Sequence, residues 1–353
     1  MSKRGDDFNM YNIKKINYYL NNILSIASPS GYTNEIADYI KEELHLINAY
    51  YYTTNKGSIV VTIKGENSEN ERTFSAHIDT LGAMVKEIKA SGALGIVPIG
   101  GLDMNTVEGE NCSIVTLFDK TYSGTIQTIK PSVHIYSDAR TLKREAENME
   151  IIIDEIVNSK AQVEALGISV GDFVCFDPKT RFTENGFVKS RHLDNKAGAA
   201  ILMYAIKYII ENNIALPYDT NFVFTTYEEV GHGAASGIPE NTKELIAIDM
   251  GAPGKGQNSS EYSVCICAKD SSGPYDYNLR KRLTEICINN HISYKTDIYP
   301  NYSSDASAAL KAGYDVKTAL IGSGIYASHG YERTHMDGIL STLDLVIKYS
   351  CEK

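Results

Sequence analysis

The sequence has no tryptophan, no Cys-X-X-Cys pair and no apolar run long enough to cross a membrane. The densest apolar stretch, residues 199–210, is interrupted by Lys207 and falls short of the ~20 residues that a membrane span needs. The segment before Tyr11 lacks the apolar core of a secretory signal. We therefore expect no membrane association. The six scattered cysteines favour free thiols in a reducing cytoplasm over disulfides.

The sequence also has fewer basic than acidic residues: 34 Lys and Arg against 44 Asp and Glu, which gives a net charge of −10. Such a surface repels phosphate, so we expect no nucleic-acid partner. The 43% hydrophobic content excludes a disordered chain, and 353 residues suggest two domains. The eight histidines beside this acidic excess are of the residue types that bind hydrolytic metals.

Apolar periodicity divides the chain into three parts. Helical spacing over residues 11–26 and a helix capped by Thr33 precede strands at 58–63 and 72–76. Residues 85–183 contain short strand-like pieces and a single helix candidate at 138–146, which is typical of a small barrel or sandwich. An α/β alternation then returns, with a helix at 196–210 and a last helix from Ser341. We predict an α/β domain in two segments, 1–84 and 184–353, around a β-rich insert at 85–183.

Three predicted strands of the α/β domain end in residues that can bind metals. One strand runs into His77, a second into Glu228 and Glu229, and a third into Asp249. Taken singly, each has an ordinary structural explanation, such as a helix cap or a solvated face. Ligands of open α/β sheets bind outside the carboxyl ends of the strands, so we expect these side chains to meet there. Asp194 opens the helix at 196–210 and can face the same crevice.

Other catalytic motifs are missing from the sequence. It has no Gly-X-Ser-X-Gly elbow, no Gly-X4-Gly-Lys-Ser/Thr loop and no His-Glu-X-X-His helix. These absences argue against a serine hydrolase, a P-loop nucleotidase and a single-zinc protease of the helical type.

The order and spacing of four motifs resemble the M42 family of metallo-aminopeptidases, which is related to the M20, M28 and M18 families. They are His77-Ile-Asp79-Thr-Leu-Gly82, Leu193-Asp194-Asn195-Lys196, Glu228-Glu229-Val-Gly231 and Asp249-Met-Gly251. The insert also resembles that family, in Gly100-Gly101-Leu-Asp and in Leu166-Gly167-Ile-Ser-Val-Gly171-Asp172. The resemblance implies a three-layer α/β/α metallopeptidase domain with a mixed sheet and an inserted, barrel-like dimerisation domain.

The resemblance also implies two adjacent divalent cations, zinc or cobalt, with manganese compatible with the same donors. His77 and Asp249 would bind one cation, Glu229 and a late histidine the other, and Asp194 would bridge both. Glu228 would be the general base on a water between the metals. Asp79 would accept a hydrogen bond from the second ring nitrogen of His77 and so fix its tautomer.

The late histidine has two candidates in Ser328-His329-Gly-Tyr-Glu332-Arg-Thr-His335. We favour His329, which follows an apolar strand at 318–321 and its Gly-Ser-Gly turn, and keep His335 as the alternative. Four other positions carry weaker expectations: Lys196 stands where the family often has arginine, His232 could support the site, Asp305 could hydrogen-bond substrate or a ligand, and His134 would pack at a subunit contact.

The implied activity is hydrolysis of N-terminal residues from peptide substrates. The resemblance also implies a homo-oligomer, with dimers assembling into a tetrahedral dodecamer. Two alternatives stay open: another co-catalytic metal amidohydrolase, such as a deacylase or carboxypeptidase, and a catalytically silent peptide-binding scaffold.

Overall fold

The computed structural model describes residues 11–353, which form a mixed β-sheet covered by helices and a separate closed β-barrel. The helices are α1 Ile13–Ser25, α2 Asn34–Leu46, α3 Lys160–Leu166, α4 Leu193–Glu211, α5 Tyr277–Asn289, α6 Asp305–Lys311 and α7 Met336–Cys351. The expectation about a signal segment before Tyr11 concerns residues that lie outside this range. No helix within residues 11–353 combines the length and the apolar character that crossing a bilayer requires.

The strands of the sheet domain precede and follow those of the barrel along the chain, and three short strands within residues 181–190 and 332–335 form a small third sheet. The strands are β1 Tyr51–Thr53, β2 Ile59–Ile63, β3 Asn67–His77, β4 Gly82–Ile88, β5 Leu94–Ile99, β6 Asn111–Val115, β7 Thr121–Thr128, β8 Met149–Ile153, β9 Phe173–Phe176, β10 Arg181–Phe182, β11 Phe187–Ser190, β12 Tyr218–Thr225, β13 Thr242–Gly251, β14 Val264–Lys269, β15 Tyr294–Ile298, β16 Lys317–Gly324 and β17 Glu332–His335.

Four parallel strands form the centre of the eight-stranded sheet, whose order is β1-β2-β12-β3-β13-β16-β14-β15. Strands β12, β3, β13 and β16 run in the same direction, with Thr225 opposite His77 and Asp249 opposite Gly322. The strands that flank this centre, β2 and β14, pair antiparallel to it, which makes the sheet mixed. The carboxyl ends of the four central strands therefore meet at one edge, where an open sheet binds its ligands.

Both faces of the sheet are covered, because side chains of each central strand alternate between them. In β13, Ile246 and Ile248 belong to the main core with α1, α4, α5 and α7, whereas Leu245 and Ala247 pack on the opposite side. There α6 contributes Ala306 and Ala309. This burial on both faces explains the near-continuous apolar composition of the central strands and confirms the predicted α/β/α layering.

The insert is a closed six-stranded barrel in the order β4-β5-β8-β7-β6-β9. Its interior is a second core, separate from that of the sheet domain and built from residues such as Val85, Ile96, Ile114, Ile126 and Ile151. The predicted β-rich insert is thereby confirmed as a barrel. The domain boundaries at 84/85 and 183/184 stay a prediction.

The helix predicted at 138–146 is wrong, since residues 137–141 form turns. Lys130 Nζ lies 2.5 Å from Asp138, and Arg144 binds Glu108 through two bonds of 2.8 and 2.9 Å. The carboxylate of Asp138 and the guanidinium of Arg144 thus pair with charged groups outside the segment and not with each other along a helix. The insert's helix is α3, and the last helix begins at Met336 rather than at Ser341.

Candidate metal centre

The ends of the central strands bring the predicted residues together. His77 is the last residue of β3, and Asp249 lies near the end of β13. After β12 the chain turns through Tyr227, which has a left-handed φ of 66°, into a single 3-10 turn that carries Glu228 and Glu229. His329 follows β16, and Asp194 lies at the start of α4, where its own backbone is not yet helical.

The two oxygens of the Asp194 carboxylate face different histidines. Oδ1 lies 3.4 Å from His77 Nε2, and Oδ2 lies 3.6 Å from His329 Nε2. His329 Nε2 also lies 3.6 Å from Glu229 Oε2. A carboxylate placed between two imidazoles in this way has the geometry of a bridging ligand.

Two overlapping groups of donors could each hold a cation. His77, Asp194 and Glu229 have ligand atoms within 4.8 Å of one another, and so do His77, Glu228 and Asp249. We expected Glu228 to be a base only. Its Oε2 atom, however, lies 3.6 Å from His77 Nε2, close enough for both atoms to bind one cation.

Two carboxylate oxygens of this cluster have no partner within residues 11–353. Glu229 Oε1 and Asp249 Oδ1 are buried without a hydrogen bond. A buried acceptor left unpaired is costly, and a buried carboxylate costs more. A divalent cation would satisfy these oxygens, and oxygen with imidazole nitrogen is the donor set that zinc, cobalt and manganese accept. The residues therefore fit divalent cations.

The electrostatics of the cluster agree with this fit. Burial raises the pKa of Glu229 and of Asp249 well above the usual carboxyl range, and the nearby Asp194 raises both further. Burial also raises the pKa of Glu228 well above that range. The Asp194 pKa is lowered, because hydrogen bonding and charge from His77, with the charge of His329, outweigh its burial. The pKa of His77 is raised despite its burial, chiefly by Glu228. The raised pKa values of Glu228, Glu229 and Asp249 are typical of buried carboxylates that lack a nearby positive charge.

Asp79 supports the site differently from the way the sequence suggested. His77 Nδ1 lies 2.9 Å from the backbone oxygen of Asp79 and 3.6 Å from its carboxylate. The carboxylate instead accepts the backbone N–H groups of Glu228 and Glu229, at 3.1 and 3.3 Å, and the hydroxyl of Ser30 at 2.5 Å. The tautomer of His77 is therefore set by a peptide carbonyl, and the Asp79 side chain orients the turn that carries Glu228.

Glu332 and Gly101 hold His329 and Asp194 in place, and sequence reasoning assigned neither a role. Glu332 accepts the backbone N–H of Asp194 and that of His329, both at 3.0 Å. The carbonyl oxygen of Gly101, in the loop after β5, lies 3.1 Å from His329 Nδ1. The only signals in the sequence were the position of Glu332 three residues after His329 and the Gly100-Gly101 pair.

His335, the alternative late ligand, does not join the cluster. Its Nε2 lies 2.7 Å from the backbone oxygen of Asn185, and its Nδ1 accepts the backbone N–H of Asp337 at 3.1 Å. Its ring packs against Phe187 and Tyr262. With both ring nitrogens occupied, His335 is a structural residue, and the geometry favours His329.

The four weaker expectations have different outcomes. The Lys196 ammonium is buried against the backbone oxygen of Ile26, and burial lowers its pKa to about 7. His232 stacks on Tyr227 with 5.2 Å between the rings, beside the turn of Glu228. Asp305 accepts the Thr225 hydroxyl and the backbone N–H of Ala234, so it holds the end of β12. His134 is exposed in the loop after β7.

Comparison with known proteins extends these observations to the whole chain. The sequence profile of the M42 glutamyl aminopeptidase family matches residues 57–345. The chain is 48% identical over 340 residues to YhfE of Bacillus subtilis (strain 168). The aligned region covers 96% of this chain and 98% of YhfE. It is 26% identical over 212 residues to the glutamyl aminopeptidase of Lactococcus lactis subsp. cremoris (strain MG1363), over 59% of this chain and 58% of that one.

Solved structures match over nearly the full length. The TET1 peptidase of Pyrococcus horikoshii matches with a TM-score of 0.84 and 25% identity, over 96% of this chain and 100% of that one. The TET aminopeptidase of Thaumarchaeota archaeon SCGC AB-539-E09 matches with a TM-score of 0.87 and 20% identity, over 97% of both chains. The match to the Thaumarchaeota protein, at 20% identity, shows that the two proteins share a fold.

Proposed function

Because the chain belongs to the M42 glutamyl aminopeptidase family, it is a metallo-exopeptidase with aminopeptidase activity, and we propose that two divalent cations and Glu228 carry out its reaction. His77 and Asp249 would hold one cation, Glu229 and His329 would hold the other, and Asp194 would contribute an oxygen to each. The observation that carries this proposal is the Asp194 carboxylate, whose two oxygens face His77 at 3.4 Å and His329 at 3.6 Å.

When bound, the cations polarise the scissile carbonyl and lower the pKa of water. Zinc or cobalt suits this mixed set of imidazole and carboxylate donors best, and manganese is compatible with it.

Glu228 moves the proton in this reaction. It takes a proton from the attacking water as the water oxygen bonds to the carbonyl carbon, and it returns the proton to the leaving amine as the C–N bond breaks. Asp79 holds Glu228 through its backbone N–H. Burial, which raises the pKa of Glu228, supports this role, because a carboxyl with a raised pKa accepts a proton more readily than an ordinary carboxyl.

The general-base assignment is tested by Glu228→Gln, compared with the exposed Glu42→Gln as a matched control. Metal content and turnover of an aminoacyl arylamide are measured for both variants and for the wild type. We expect kcat of Glu228→Gln to fall by about 10²–10⁴-fold with both cations retained, since general acid–base catalysis contributes about that factor. Full activity with both cations bound would show that Glu228 is not the base.

An acetylated form of the same substrate tests the exopeptidase direction. We expect the wild-type protein to leave it intact, because an aminopeptidase needs a free N-terminus. Release of acetate from the blocked arylamide would favour a deacylase instead, and hydrolysis of an N-acetylated peptide with a free C-terminus would favour a carboxypeptidase.

We also propose that the barrel mediates dimerisation and that dimers assemble into a tetrahedral dodecamer. Solved structures of Pyrococcus horikoshii TET1 support this, one described as a dodecamer and one as a tetrahedron or a large octahedral shell. Native mass measurement should give about twelve times the monomer mass of 38.9 kDa. A particle of 38.9 kDa would rule the assembly out.

A cytoplasmic location is part of the same proposal. Its support is that all six cysteines are free thiols, five of them buried. Fractionation of cells that make the protein should recover it with a cytoplasmic marker, and recovery outside the cytoplasm would contradict the assignment.

A further inference from the structure

Lys56 contacts both ends of the 227–231 loop, the segment that carries the proposed base. Its backbone carbonyl accepts the hydroxyl of Thr226, the residue before the loop, at 2.9 Å. Its ammonium donates to the backbone carbonyls of the two residues after the loop, His232 and Gly233, with 2.8 Å to the oxygen of Gly233. One residue thus fixes where the chain enters this loop and where it leaves.

The turn that presents Lys56 is closed by its own hydrogen bonds and belongs to the sheet. It joins β1 to β2, and β2 pairs with β12 next to the centre of the sheet. Thr54 N–H donates to the Ser58 carbonyl at 2.9 Å, and Gly57 N–H donates to the Thr54 carbonyl at 3.0 Å. Lys56 is therefore anchored outside the loop that it holds.

Gly233 passes this constraint on to Glu228. A Cβ at Gly233 would lie 3.1 Å from Glu228 Cα and 2.2 Å from Asp305 Oδ1, so the chain leaving the loop packs directly on the residue that carries the base. Asp79 holds the same residue through its backbone N–H at 3.1 Å. Lys56 adds a contact that Asp79 does not make, with the segment that follows the loop.

A lysine side chain suits this task. Its ammonium has three N–H donors and no acceptor, so it can bind two successive carbonyls at once. Hydrogen bonds from a charged donor are also stronger than those from a neutral one. Any side chain without a cationic tip would leave at least one of these carbonyls without this donor.

We propose that Lys56 is a positioning residue whose ammonium fixes the outgoing end of the 227–231 loop and thereby keeps the Glu228 carboxylate within reach of the attacking water. The inference rests on the proposed function and deepens it. A shift of about 1 Å in a reacting group can cost about 100-fold in rate, which sets the upper size of the expected effect.

The experiment compares Lys56→Met with Lys243→Met. Both variants lose one ammonium and keep an unbranched side chain, but Lys243 is exposed near the start of β13, at the opposite edge of the sheet from the metal centre. Turnover of an aminoacyl arylamide is measured on zinc-loaded protein. We expect kcat of Lys56→Met to fall by about 10–100-fold with KM unchanged, because the base is displaced and substrate binding is not. Lys243→Met should keep the wild-type kcat.

Thermal unfolding and zinc content of the same variants separate positioning from stability. Kinetics are compared well below the unfolding temperature, where every variant is folded and holds its zinc. A lower unfolding temperature for Lys56→Met with wild-type kcat would show a structural role only and overturn the proposal. If Lys56→Met does not fold, Lys56→Gln carries the same test, since one amide cannot replace an ammonium at both carbonyls, and wild-type kcat in that variant overturns the proposal as well.

A double variant tests whether Lys56 works through Glu228. Added to Glu228→Gln, Lys56→Met should lower kcat no further, because residues that act as a unit are not additive. A further fall of about 10-fold would place the action of the ammonium elsewhere and overturn the proposal. Full activity of Glu228→Gln with both cations bound overturns the proposed base itself, whereas wild-type kcat in Lys56→Met beside an impaired Glu228→Gln overturns this inference alone.

Discussion

The Nδ1 atom of His329 lies 3.1 Å from the carbonyl oxygen of Gly101, so a loop of the barrel orients a candidate ligand of the sheet domain. When Nδ1 donates its hydrogen to that carbonyl, Nε2 keeps its lone pair and faces Asp194 and Glu229. The barrel is thereby part of the candidate metal centre and does more than extend the surface of the protein.

Gly101→Ala should damage the centre, because a Cβ at this position would lie 2.9 Å from His329 Nδ1. The ring has to move away from its carbonyl partner, and we expect zinc affinity to fall by about 10–100-fold. The control is Gly254→Ala, where a Cβ meets no atom within 4 Å. Chelator competition measures both variants, and equal affinities would show that Gly101 does not set the ring position.

Alanine at the two late histidines should give opposite phenotypes. His329→Ala should lose one cation and most of the activity while keeping its fold, because the side chain is partly exposed. His335→Ala should keep both cations and lose about 1–2 kcal/mol of stability, since each of its two hydrogen bonds contributes about 1 kcal/mol. Metal analysis and thermal unfolding of both variants check this, and loss of a cation from His335→Ala would contradict the assignment.

Asp79→Asn should lower kcat by about 10–100-fold, the range for groups that orient metal-site residues. Asp79 accepts from three donors, and an asparagine amide would present N–H to at least one of them. The turn that carries Glu228 would then shift. Steady-state kinetics should show the change in kcat rather than in KM. The exposed Asp315→Asn is the matched control, and wild-type kcat in Asp79→Asn would refute this role.

The metal-free protein should lose stability as pH rises from about 5 to 8. Burial raises the pKa of three carboxyls, those of Glu228, Glu229 and Asp249, above the unfolded values of about 4. The folded state therefore holds more protons than the unfolded state. Stability falls with pH under that condition. The raised pKa of His77 acts in the same direction, because its contribution is lost as pH passes through the folded pKa.

Asp194 does not oppose this trend, since the stability that its lowered pKa contributes is constant above about pH 5 and is lost only on acidification below the unfolded value of about 4. Thermal unfolding of chelator-treated and zinc-loaded protein across this pH range measures the slope. We expect the difference between the two forms to widen with pH, because cations supply the missing counter-charge. A metal-free form that becomes more stable toward pH 8 would contradict the electrostatics of the cluster.

Local patterns in the chain were enough to determine the fold class and most members of the candidate site. Buried parallel strands are continuously apolar, so the positions where they stop, at His77, Glu228 and Asp249, can be read directly. The β-rich insert was predictable because short strands and turns have local signals. The helix predicted over 138–146 does not form, because Asp138 and Arg144 pair with Lys130 and Glu108 and not along a helix.

The tertiary structure alone decided which late histidine faces Asp194 and which atom of Asp79 meets His77. It also decided that Glu332 and Gly101 hold the centre and that Lys56 contacts both ends of the 227–231 loop. Gly101 and His329 are separated by 228 residues, and their contact depends on how the barrel packs against the sheet. Periodicity and spacing describe neighbours along a strand or helix. Hydrogen bonds between distant segments depend on differences of about 1 Å in packing, which no local pattern encodes.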